Sequence, residues 1–274
     1  MNRTALNVLS AAVIAGLSGV ASAATYSWGL DSVLATKTSA AGFVTETEYS
    51  KLQYSTGGAT MTLQAYADTG ASSAIEAAYL TFQGSCCVGV TSRETGNNGN
   101  NETTGSATGS NTATGSARSP EHSFDNAGRT ELLLVSFDQA LSISSLSFGW
   151  AQTDNDYKLY AFNETTNSFA STGAVTGKTL GALGAGWAQV GSAFEGTQSG
   201  NTGGTRDTDN SVYSRYWLIT PGGTDGVRND YTKLSTIAAK TAPPPSTGVP
   251  EPESIALMGA ALAGMVFVRR RRQA

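Results

Sequence analysis

Between Ala24 and Ala242 the apolar positions recur with a period of two far more than with a helical period. Met61, Leu63 and Ala65 alternate with Thr62, Gln64 and Tyr66 directly after the Gly57-Gly58 turn. This is the pattern of a strand with one buried face. Leu146, Phe148 and Trp150 alternate with Ser145, Ser147 and Gly149, and Tyr157, Leu159 and Ala161 alternate with Lys158, Tyr160 and Phe162 before the turn residues Asn163 to Asn167. The run from Leu132 to Phe137 is apolar at both parities, which predicts a strand buried on both sides. Further strands are predicted around Ala78 to Phe82 and from Tyr213 to Ile219, the second ended by Pro221-Gly222-Gly223. Short strands separated by Gly, Asn, Asp and Ser clusters predict an all-β fold, an antiparallel β-sandwich of jelly-roll type, over residues 24–242.

Three segments depart from the pattern. Ser92 to Ser119 carries almost no apolar side chain and repeats Gly-Ser at 105–106, 109–110 and 115–116. It has nothing to bury and is expected to be a disordered insert, residues 92–119. At the N-terminus Arg3 precedes an apolar run from Ala5 to Val20, and Ala21-Ser22-Ala23 follows. A basic start, an apolar centre and an A-x-A site predict a signal peptide over residues 1–23, its helix removed between Ala23 and Ala24. At the C-terminus the prolines of residues 243–248 make a stiff extended linker. Residues 249–274 then hold Val249, Pro250, Glu251 and Pro252, an apolar run from Ile255 to Val268, and the four arginines Arg269, Arg270, Arg271 and Arg272. The run predicts a short transmembrane helix, with the arginines held cytoplasmic and the body of the chain outside the cytoplasm.

Charge narrows the partners. Between Ala24 and Val249 there are 12 basic residues against 19 acidic ones, leaving −7. An acidic body lacks the basic face that phosphate backbones require, so nucleic acid is excluded as a partner.

Few residues promise chemistry. Cys86 and Cys87 are adjacent, so their Cα atoms lie only about 3.8 Å apart where ordinary bridges prefer about 5.5 Å. A vicinal bridge, an intermolecular bridge and a pair of buried thiols all remain open. His122, the single histidine, sits in the turn-rich segment Ser119-Pro120-Glu121-His122-Ser123-Phe124-Asp125-Asn126 without a nucleophile elbow anywhere in the chain. Asp154-Asn155-Asp156 and Asp207-Thr208-Asp209-Asn210 are oxygen-rich loops, which makes Asp154, Asp156, Asp207 and Asp209 the candidate ligands for calcium. The same residue types also serve as ordinary turn formers. No other cofactor and no catalytic residue is predicted.

The C-terminal arrangement of Pro250-Glu251-Pro252, apolar run and Arg269 to Arg272 resembles the PEP-CTERM sorting signal of Gram-negative bacteria. That resemblance covers about the last tenth of the chain. It implies processing by an exosortase, a membrane cysteine transpeptidase, and an association with exopolysaccharide and biofilm matrix. Pro120 to Arg129, followed by an apolar strand, Gly149-Trp150 and Asp154-Asn155-Asp156, is similar to the ectodomain of some exosortase-dependent surface proteins, and this likeness carries over no site residue. The expectation is an exported protein, first anchored in the inner membrane facing the periplasm and then released to the surface, with a non-enzymatic role. A carbohydrate-binding module is the alternative, with Trp150, Trp187, Trp217 and the tyrosines as candidate sugar platforms, although core packing explains each of them equally well. A secreted hydrolase comes third, since no motif marks its carboxylates.

Overall fold

A computed structural model describes residues 22–39, 49–69, 71–83, 86–92, 123–126, 129–152, 154–196, 203–224, 230–244, 256, 258–263 and 269. Ala23–Ala242 forms one compact unit. Its strands in chain order are β1 (Thr25–Gly29), β2 (Thr36–Ser39), β3 (Tyr49–Thr56), β4 (Ala59–Ala67), β5 (Glu76–Ala77), β6 (Tyr79–Gln83), β7 (Cys87–Thr91), β8 (Phe124–Asp125), β9 (Glu131–Ala151), β10 (Tyr157–Phe162), β11 (Trp187–Gln189), β12 (Thr205–Asp207), β13 (Ser214–Pro221) and β14 (Tyr231–Lys240).

The all-β expectation holds, but the predicted sandwich gives way to a closed barrel. The pairings run β14-β7-β6-β3-β4-β9, and β9 pairs again with β14 to close a ring of six strands. The device is β9. Its 21 residues fuse the two strands that the alternation predicted at Leu132–Phe137 and Leu146–Trp150. The first part pairs with β4, from Ala67↔Glu131 to Met61↔Phe137. The second part pairs with β14, from Lys240↔Ser142 to Thr232↔Ala151. A twisted strand this long serves two neighbours in succession, and bulges along the β9–β14 ladder sharpen its curvature until the ring shuts. β13, β10 and β11 continue the sheet outside the ring, while β1 adds to β14.

The double-sided apolar run of β9 has a direct cause. Leu133 and Val135 belong to the barrel core with Met61, Leu63, Trp217 and Ile219. Leu132 and Leu134 point the other way, into a second cluster with Ile75, Val175, Leu183 and Leu218, against which Phe169 and Trp187 pack. Segment 163–187 is therefore a cover over the outer face of β9 and β13. Aromatic contacts hold it there: Phe169 stacks on Tyr216 at 3.6 Å between ring centroids, and Trp187 meets Phe162 edge-on at 5.3 Å. Trp217 is fully buried, and its indole N–H donates to the carbonyls of Leu141 at 3.1 Å and Ser214 at 3.0 Å.

Outside the body, residues 258–263 are helical. Among the described residues no helix is long and apolar enough to cross a membrane. The predicted span from Ile255 to Val268 lies partly outside the described residues, as do residues 1–21 of the signal peptide, 93–119 of the insert and 245–248 of the linker. Ser92, placed in the insert by composition, is in fact buried at the end of β7.

Candidate functional site

The sheet register brings together side chains far apart in sequence. Ala151, the last residue of β9, pairs with Thr232 near the start of β14. The residues just after β9 and just before β14 must therefore be neighbours, and Asp154 forms a bridge with Asp230. Asp154, Asp156 and Asp230 each offer a carboxylate oxygen within 4.8 Å of the others. Asp156 and Asp230 are almost wholly buried.

Polar contacts hold the cluster in place. The backbone N–H of Asp156 donates to Asp230 Oδ1 at 3.1 Å, and that of Asp230 donates to Asn126 Oδ1 at 3.1 Å. Asn126 Nδ2 in turn donates to Asp230 Oδ2, and the Gly196 N–H donates to Asp156 Oδ1. Asn126 reaches the site because β8 pairs with β14 through Asp125↔Tyr231. Gly222, at φ +118°, turns the chain so that its N–H meets the Asp156 carbonyl at 3.0 Å. A Cβ on the next residue, Gly223, would fall 2.0 Å from Asp156 Oδ2, so only glycine lets the backbone lie against this carboxyl.

Burial pushes the Asp156 carboxyl up to about 7. The Gly196 N–H opposes that rise, while a hydrogen bond with Glu195 and the charges of Asp154 and Asp230 add to it. Glu195 moves the opposite way, held below its ordinary range by hydrogen bonds from Thr224, by the Asp156 hydrogen bond and by Lys158. The proton of the pair thus resides on Asp156. Two carboxyls joined by a hydrogen bond are closer than the roughly 5–5.5 Å of a retaining glycosidase or the roughly 6.5–9.5 Å of an inverting one. The arrangement can store a proton, or it can present clustered carboxylate oxygens to a hard cation, which favours such ligands.

Beside the cluster lies an open cleft of about 420 Å³, lined by Asn126, Thr130, Lys158, Tyr160, Thr220 and Gly222 among others. Asn126 belongs to both places: it faces the cleft and binds Asp230.

The predicted calcium ligands are thereby split. Asp154 and Asp156 meet, and Asp207 and Asp209 do not join them. Asp207 closes β12 opposite Ser145, and Asp209 is an exposed residue at φ 41° in the following turn. Asp230, Asn126 and Glu195 escaped the sequence reading, since only the β8–β14 and β9–β14 registers gather them. The three candidate sugar-stacking tryptophans share no exposed face: Trp217 is in the barrel core, Trp187 packs on Phe162, and Trp150 lies under the Lys233 ammonium at 5.2 Å. Cys86 and Cys87 form a disulfide with each other, the first of the three open readings. His122 lies outside the described residues.

The other predicted site is linear. Residues 248–272 match the family described as PEP-CTERM protein-sorting motif. The chain carries a PEP-CTERM sorting motif. No curated protein matches the sequence. The motif takes in Val249, Pro250, Glu251 and Pro252 together with Arg269 to Arg272. Of these, Arg269 is described and is exposed at a helical position, and the others lie outside the described residues. The PEP-CTERM motif marks the chain as an exosortase substrate destined for the cell surface or beyond it.

Proposed function

We propose that this is a non-enzymatic surface or matrix protein whose β-barrel body is exported behind a signal peptide, held in the inner membrane by its C-terminal run and released there by exosortase. The observation that supports the reading most is the PEP-CTERM motif at residues 248–272, placed directly after a compact body that ends at Ala242. The hydrogen-bonded Asp156–Glu195 pair lacks the spacing of glycosidase carboxylates, which favours a binding role over hydrolysis. Exopolysaccharide is the partner class assigned to it.

The test is replacement of Pro250, Glu251 and Pro252 by alanine in a host that has the exosortase. Prolines fix φ and withhold the helix-forming N–H, so the motif stays extended before the following helix. The alanine chain is expected to accumulate as an uncleaved, membrane-retained precursor by fractionation and intact mass. Release at the parent's rate would reduce the tail to a plain anchor.

The cleft beside Asn126, Lys158 and Tyr160 favours a second reading, a carbohydrate-binding module. Polar groups beside an aromatic ring suit sugar hydroxyls and ring faces. Calcium, if the body uses it, is assigned to Asp154, Asp156 and Asp230 in place of Asp207 and Asp209.

A further inference from the structure

The disulfide between Cys86 and Cys87 closes the shortest loop a chain allows, so it restrains the unfolded ensemble very little. Its value must lie elsewhere. The two residues differ in exposure. Cys86 is exposed in the turn before β7, while Cys87 is fully buried as the first residue of β7. The seat of the Cys87 sulfur is Gly149. A Cβ on Gly149 would stand 2.2 Å from Cys87 Sγ, 3.2 Å from the Ser235 Cβ and 3.5 Å from Cys86 Sγ. Gly149 and Ser235 fall where the β9–β14 register shifts, between Trp150↔Lys233, Phe148↔Leu234 and Ser147↔Thr236. The bulge thus leaves a notch, and the disulfide fills it. It does so beside a sparse join of the ring, where β7 meets β14 through Leu234↔Val88.

We propose that this disulfide is a thiol-addressable modification site, at which a low-molecular-weight thiol attaches covalently to Cys86 while Cys87 stays buried. The thiolate RS⁻ attacks Cys86 Sγ, the sulfur of the exposed residue. The new bond is R–S–S–Cys86, the Cys86–Cys87 bond breaks, and its electron pair leaves on Cys87 Sγ, which takes a proton from water. No external oxidant or reductant is needed, since one disulfide is exchanged for another. Re-closure by Cys87 is disfavoured for a reason written in the sequence: adjacent Cα atoms sit nearer together than disulfide geometry prefers. The adduct therefore persists, unlike that of a spaced pair whose second cysteine resolves it at once.

The test uses the purified, exported full chain incubated with reduced glutathione, acid-quenched and read by intact mass and peptide mapping. The expected product carries one glutathione, on Cys86, with Cys87 alkylated by iodoacetamide only after denaturation. Free thiols before treatment, no adduct on the folded protein, or an adduct on Cys87 would each overturn the proposal. Two variants supply an independent reading. In Cys87→Ser the remaining Cys86 is expected to alkylate in the folded state at least about tenfold faster than the remaining Cys87 of Cys86→Ser, in line with its exposure. Equal rates in two folded variants would show that burial does not select the sulfur. If one variant does not fold, the adduct position on the parent chain decides alone.

Discussion

Replacing Asp156 by asparagine should flatten the way stability depends on pH. In the folded body the Asp156 carboxyl holds its proton up to about pH 7. In the unfolded chain an aspartate releases it near 3.9, a gap worth up to about 4 kcal/mol at about 1.36 kcal/mol per pH unit. The full figure is an upper bound, because the partner Glu195 is exposed and keeps its charge in solvent, so screening and proton sharing reduce it to about 2 kcal/mol. The sign follows from linkage. Below about pH 4 both states are protonated and Asp156 contributes nothing. As pH rises through the window to about 7 the unfolded state ionises first, so stability falls, and above about 7 the loss is complete. Asparagine keeps an oxygen for the Gly196 N–H and removes the charge beside Asp154 and Asp230. The assay is thermal unfolding from pH 4 to pH 9 in chelator. The parent should lose roughly 4–8 °C more than the variant across that window, at about 2–4 °C per kcal/mol for a body of this size. Parallel curves, or a parent that gains stability towards pH 7 relative to the variant, would refute the reasoning. Repeating the melts with calcium separates the two uses of the cluster: a cation on Asp154, Asp156 and Asp230 raises the parent's melting temperature at pH 8 and raises the variant's less.

Two further outcomes are expected. Trp217→Ala leaves a cavity in the main core cluster and strands the carbonyls of Leu141 and Ser214, so denaturant titration should show a loss of about 3–5 kcal/mol. Deleting residues 93–119, which carry almost no apolar side chain, should change the unfolding free energy by no more than about 1 kcal/mol, the order of a loop-closure difference, and a larger loss would show that the segment packs.

The alternation of β4, β10 and the second half of β9 was readable because each buries one face against the barrel core. β14 was not readable for the opposite reason. Its buried set shifts from Thr232 and Leu234 to Ile237 and Ala239, because bulges change the parity midway and erase the period of two. Closure was equally hidden, since alternation reports which face is buried and says nothing of which edges pair. At the carboxylate cluster, local composition found Asp154 and Asp156, and a long-range register supplied Asp230. Asp207 and Asp209 misled because aspartate also caps turns, and Asp209 takes the left-handed conformation such turns use. The sorting motif was legible throughout, because its parts lie in order along one stretch of chain.

Thr25 of β1 faces Lys240 of β14, and the Ala24 N–H reaches the Thr241 hydroxyl, so the chain enters and leaves the body at one end of a single ladder. The sorting tail departs from β14 alone. Tension applied through that tail runs along the axis of a strand laddered to β9 from Thr232 to Lys240 and to β1 from Thr236 to Lys240. Such a load shears many hydrogen bonds at once, whereas a pull across the ladder would unzip them singly. The strand that would take such a force is one laddered on both sides, to β9 and to β1.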